Sequence, residues 1–102
     1  MKANVREMRL PTFAGDLQRL NAQRMSLRLA MQTEFKRASD YRKRWASLMQ
    51  RAEKTSPKRR EGIVKAAEQA LAGADAWDAQ YRRHAEEMNS VLARIAALGG
   101  AR

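Results

Sequence analysis

The stretch AEKTSPKRREG, residues 52–62, decides the fold. On either side of it lie about forty residues of helical periodicity free of proline apart from Pro57 itself. Ser56 followed by Pro57 is a helix start. The serine can cap the first free amides, and a proline at the first helical position gives up only an N–H that has no partner there. The break between the two periodic halves is therefore just Thr55 and Ser56. So short a connection turns the second helix back along the first, so an all-α antiparallel helical hairpin, a two-helix coiled coil, is expected.

Upstream of the turn, Leu17, Leu20, Leu27, Met31, Ala38, Tyr41, Trp45, Leu48 and Ala52 recur at alternating steps of three and four, interrupted only by Arg24 and Glu34. This pattern predicts one amphipathic helix over about 13–54. Thr12 is a plausible N-cap, and Asp16 suits the positive end of the helix dipole. Downstream, a helix over about 57–98 is expected, with Val64, Ala67, Leu71, Ala74, Tyr81, Ala85, Met88, Leu92 and Ile95 on its seam. Ile63, Ala70, Trp77, His84, Val91 and Leu98 form a flanking column spaced by seven. Gly99 and Gly100 supply a stop signal. Gly73 costs about 1 kcal/mol against alanine in a helix interior. The seven-residue column passes it without a change of phase, so the helix is expected to continue through it. Each helix would be roughly 63 Å long at 1.5 Å per residue. Folding back at 55–56 sets Trp45 opposite Ala66, Ala67 and Ala70, large against small.

This leaves apolar surface over. The second helix has three apolar columns where a simple seam needs two, and Met25, Leu29, Phe35 and Met49 lie off the stripe of the first. Dimerisation into a four-helix bundle, or docking on a protein partner, would cover them. Residues 1–12 form a separate segment, flexible or a short helix, and 99–102 a short tail.

The net charge is +10 over 102 residues, from 15 Arg and 6 Lys against 11 acidic residues. It is unevenly spread. Residues 1–60 hold sixteen basic and five acidic side chains, whereas 61–102 hold five and six. On the heptad frame Arg37, Arg44 and Arg51 share one edge, with Lys36 and Lys43 beside it. The edge opens onto a tip of Lys54, Lys58, Arg59 and Arg60. These nine residues are the candidate polyanion-binding set. Like charges at this density repel one another unless a counter-charge is near. Two partners fit. One is nucleic acid, held by a sequence-independent phosphate grip that releases counterions. The other is an acidic protein surface, as for a coiled-coil assembly, stalk, phage structural or inhibitor protein. Tyr41 and Trp45 fall on the buried stripe, so base stacking is not expected, and no base-reading motif is present. Membrane insertion is not expected, because the face opposite the charge is used for helix pairing.

Catalytic chemistry finds little support. There is no cysteine and one histidine, so no thiolate or His-rich metal site can form. Phosphate-binding loops, dinucleotide fingerprints and nucleophile elbows are missing. No cofactor, metal or small-molecule substrate is implied, and a non-enzyme is expected. Glu34, on the seam, is within reach of Tyr81 or His84 across it, and a buried carboxylate needs such a partner. Asp40–Arg44, Glu61–Lys65 and Asp78–Arg82 are spaced for pairs along one helix. The N-terminus lacks the apolar run of a secretory signal, so a cytoplasmic location, or carriage by a virion or secretion machine, is expected.

Overall fold

A computed structural model describes residues 13–100 of the chain. Two helices account for nearly all of it: α1, Phe13–Glu53, and α2, Pro57–Gly100. They pack against each other along their length as an all-α helical hairpin. The expected N-terminal segment and the Thr12 cap lie outside the described residues.

The turn falls where Ser56–Pro57 implies, although it is the Ser56 backbone carbonyl, not its hydroxyl, that engages the first amides of α2. The Ser56 carbonyl accepts the amides of Arg59 and Arg60, both at 3.0 Å, so Ser56 is the first half-residue of α2. The end of α1 leaves carbonyls without helical partners, and the turn supplies them. The Arg51 carbonyl accepts the Lys54 amide at 3.2 Å and the Thr55 hydroxyl at 2.6 Å. The Ala52 carbonyl accepts the Thr55 amide at 3.2 Å. Arg51, in the last turn of α1, also suits the negative end of the helix dipole.

α2 runs unbroken through Gly73. A Cβ built there would lie 2.8 Å from two carbons of the Tyr41 ring, so the missing side chain is the space the ring occupies. This contact also sets the register. With Tyr41 over Gly73, Trp45 comes level with Ala70, one turn closer to the tip on each helix, as the large-against-small pairing requires. At the far end Gly99 and Gly100 do not stop the helix at Leu98. No glycine among the described residues has a positive φ, which a glycine stop of that kind requires.

The seam on α2 differs from the expected one by a column. Leu71 and Leu92 are exposed at 39% and 43%, whereas Val91, expected at the flank, is 2% exposed. Ala67, Ala70 and Ala74 are buried, with Ile63, Trp77, Tyr81, His84, Met88, Ile95 and Leu98 half-buried in line with them. The true stripe therefore joins the 63–70–77–84–91–98 column to 67–74–81–88–95. The Val64, Leu71, Ala85 and Leu92 column borders it.

The buried apolar set is small-sided: Leu27, Ala38, Ala52, Ala67, Ala70, Ala74 and Val91. Alanines let the helix axes approach closely but bury little area each. The largest apolar side chains lie at the edges of the seam or outside it. In its thinnest direction the molecule spans 14 Å, one layer of helices.

Glu34 is the one buried charged residue among those described, at 3% exposure. Its Oε2 lies 2.6 Å from Nδ1 of His84, the cross-seam partner its position requires. Its Oε1 is buried with no hydrogen-bond partner.

Candidate polyanion-binding face

Two contacts across the seam fix which columns share a face. On one side, the Arg37 guanidinium lies over the Trp77 ring, 5.3 Å from its centroid. On the other, Arg42 pairs with Asp78 and Phe35 meets Tyr81 with ring centroids 6.3 Å apart. Residues seven apart stay on one edge of a helix in a hairpin of this kind. Arg44 and Arg51 therefore follow Arg37 along the first face, toward the turn. Their charges span about 21 Å by helical rise. Lys36 and Lys43 stand further out on α1. Lys54, Lys58, Arg59 and Arg60 cluster at the turn.

All nine of these side chains are exposed. None of them enters an ion pair among the described residues, where the pairs formed are Arg19–Asp16, Arg42–Asp78 and Lys65–Glu61, and Glu34 shares a hydrogen bond with His84. Of the three pairs expected along single helices, only Glu61–Lys65 forms, at 3.8 Å. Asp78 turns to Arg42 across the seam instead of to Arg82, and Asp40 and Arg44 form no pair. A cross-seam partner wins where the i,i+4 alternative contributes only ~0.2–0.5 kcal/mol.

Arg60 differs from the other eight. Its Nε donates to the Ala52 carbonyl at 3.0 Å and its Nη2 to the Thr55 carbonyl at 3.1 Å. It closes the turn by covering carbonyls at the end of α1. Two of its five donors are used this way, and the rest face solvent with its charge. Sequence spacing gives no sign of this role, because it depends on the path of the turn.

Trp77 is a second feature that sequence spacing missed. It is half-buried at the border of the basic face, beneath Arg37. A cation over an indole face is stabilised by about 0.5–1 kcal/mol at exposed sites, and here it holds the guanidinium close to the α2 side of the face. Placing Trp77 on the seam itself, not in a flanking column, would have predicted its proximity to the Arg37 edge.

Three shallow surface depressions are found among the described residues. They lie at the free ends of the helices, beside Phe35 and beside the first turns of α2. Among those residues no three His, Cys, Asp or Glu side chains come together as metal ligands would. No described helix is long and apolar enough to cross a membrane.

The architecture defines the class: a basic antiparallel helical hairpin. Compared with protein-family models, curated proteins and solved structures, the chain shows no match.

Proposed function

We propose that this chain is a non-catalytic binding module. In this reading the Arg37–Arg44–Arg51 face and the tip dock on a polyanion, nucleic acid held through its phosphates. The observation that carries the reading is the set of nine exposed cations without a counter-charge among the described residues. Arginine favours phosphate, because its planar fork matches two oxygens at once. The seam occupies Tyr41 and holds Trp45 half-buried, which leaves no row of free aromatics for base stacking. Binding by this face is therefore sequence-independent, and affinity falls steeply with salt as phosphates are neutralised and counterions released.

The test is fluorescence anisotropy with labelled mixed-sequence oligonucleotides, single- and double-stranded, across a salt series. Binding at low salt that weakens linearly in log–log form supports the proposal. The variant Lys43→Glu/Arg44→Glu/Arg59→Glu should abolish binding while keeping the circular dichroism of the native helices. Arg60 is left intact in that variant because it bonds the turn. Absence of binding at low ionic strength overturns the nucleic-acid reading. In that event, nuclease-insensitive capture of one acidic protein, lost in the same variant, assigns the face to a protein surface.

A further inference from the structure

On the basic face, one cation covers an aromatic ring. Arg37 is exposed, and its guanidinium lies 5.3 Å from the centroid of the Trp77 ring. The ring face beneath it is therefore turned outward, on the side where Arg44 and Arg51 stand. It is covered by the end of a long charged side chain and not by the seam. Arg37 enters no ion pair among the described residues, so no carboxylate holds the guanidinium in place. On α2, the neighbours of Trp77 one turn to either side are Gly73 and Gln80, both uncharged. The adjacent carboxylate, Asp78, is turned to the opposite face, onto Arg42. On α1, the carboxylate near this edge is Asp40, which stands among Lys36, Lys43 and Arg44 at spacings of three and four. The surroundings of the ring therefore carry an excess of positive charge. We propose that the basic face takes single-stranded nucleic acid in preference to duplex, with one unpaired base stacked on Trp77 and Arg37 moved from the ring to a neighbouring phosphate.

A single strand is favoured on two counts. The first is the exchange at the ring. A guanidinium over an exposed indole contributes about two- to fivefold in an equilibrium constant, whereas a base stacked on an aromatic side chain contributes about five- to 150-fold. Displacing Arg37 by a base is therefore favourable. The freed guanidinium also gains a phosphate, which its planar fork holds by two oxygens. A duplex cannot make this exchange without extruding a base from its own stack, which costs energy. The second count is the line of the edge. Arg37, Arg44 and Arg51 follow one another at about 10 Å along one helix, ~21 Å in all. A strand of a duplex winds once around its axis in about 34 Å, so over that length it passes to the far side. A single strand can follow the edge throughout. One ring reads no base identity, since every base has a π-face, so binding stays sequence-independent. All of this rests on the nucleic-acid reading of the face, and adds which form of nucleic acid it takes.

The chain has two tryptophans, so Trp45→Phe leaves Trp77 as its one indole and keeps an aromatic ring on the seam. In that variant, saturating mixed-sequence single-stranded DNA should quench the Trp77 emission strongly, and the same sequence as a duplex should quench it much less. Trp77→Leu, checked for native circular dichroism, should lose about tenfold in single-strand affinity and keep its salt slope, with duplex affinity changed by less than about twofold. If Trp77→Leu does not fold, the quenching decides alone. Equal quenching by the two forms, no quenching by a single strand that binds, or an equal loss of affinity for both forms overturns the proposal and leaves the phosphate grip standing. Absence of binding by either form at low salt overturns both.

Discussion

Glu34 is the residue whose burial most needs a reason. A carboxylate at 3% exposure, with one oxygen on His84 and the other on nothing, is costly wherever it sits. Removing one member of such a pair is worse than removing both. His84→Ala leaves the buried Glu34 Oε2 without its hydrogen-bond partner and should destabilise the hairpin by about 1–3 kcal/mol. Glu34→Leu/His84→Leu should come back to native stability or exceed it. Urea midpoints of the two variants would settle this. If the single change is harmless, the pair is not what balances the carboxylate. Gly73 gives a second residue-scale prediction. Alanine gains about 1 kcal/mol of helix propensity at any exposed interior site. Gly62 has nothing within 4 Å, so Gly62→Ala should stabilise by close to that amount. At Gly73 the same methyl group meets the Tyr41 ring at 2.8 Å. Overpacking of this kind costs ~1–3 kcal/mol, so Gly73→Ala should lower the melting temperature where Gly62→Ala raises it. Equal shifts would mean that Tyr41 moves aside freely.

The elements were legible to different depths. α1, the turn and the continuity of α2 follow from periodicity and from Ser56–Pro57, because the local chemistry and the packing agree there. That Glu34 faces Tyr81 or His84 was readable too, once the fold-back point was known, and the structure selects His84. The seam of α2 was not. Three adjacent apolar columns offer two possible stripes, and the bulk of Leu71 and Leu92 drew the frame one column too far. Which stripe faces α1 depends on the partner's side chains: Tyr41 fits only where Gly73 leaves room, and this rotates α2 so that Val91 turns inward. α2 runs two residues past the expected Leu98, to Gly100, since glycine permits a stop but does not enforce one. Arg60 belongs to this scale as well. It bonds the Ala52 and Thr55 carbonyls, so Arg60→Ala should cost about 1–2 kcal/mol and Arg59→Ala almost nothing, although the two are adjacent cations. Equal costs in thermal melts would contradict a structural role for Arg60.

At the scale of the whole molecule the hairpin carries two unlike faces. One carries arginines from Arg37 to Arg51 and leads to the basic tip. The other carries Phe35, Met49, Leu71 and Leu92. The charge excess was readable from composition, and its placement on one edge from the heptad spacing. That its members lack internal partners was not, because the pairing of Arg42 with Asp78 depends on the register. The central claim is that the unpaired face holds a polyanion by phosphate contacts. Salt dependence of oligonucleotide affinity tests it most directly. Neutralising several phosphates predicts a log–log slope of about −0.9 per contact on duplex DNA, and a total slope of about −3 or steeper. The slope should flatten toward zero in Lys43→Glu/Arg44→Glu/Arg59→Glu as binding is lost. An affinity that does not respond to salt, or a slope unchanged in that variant, would contradict the claim.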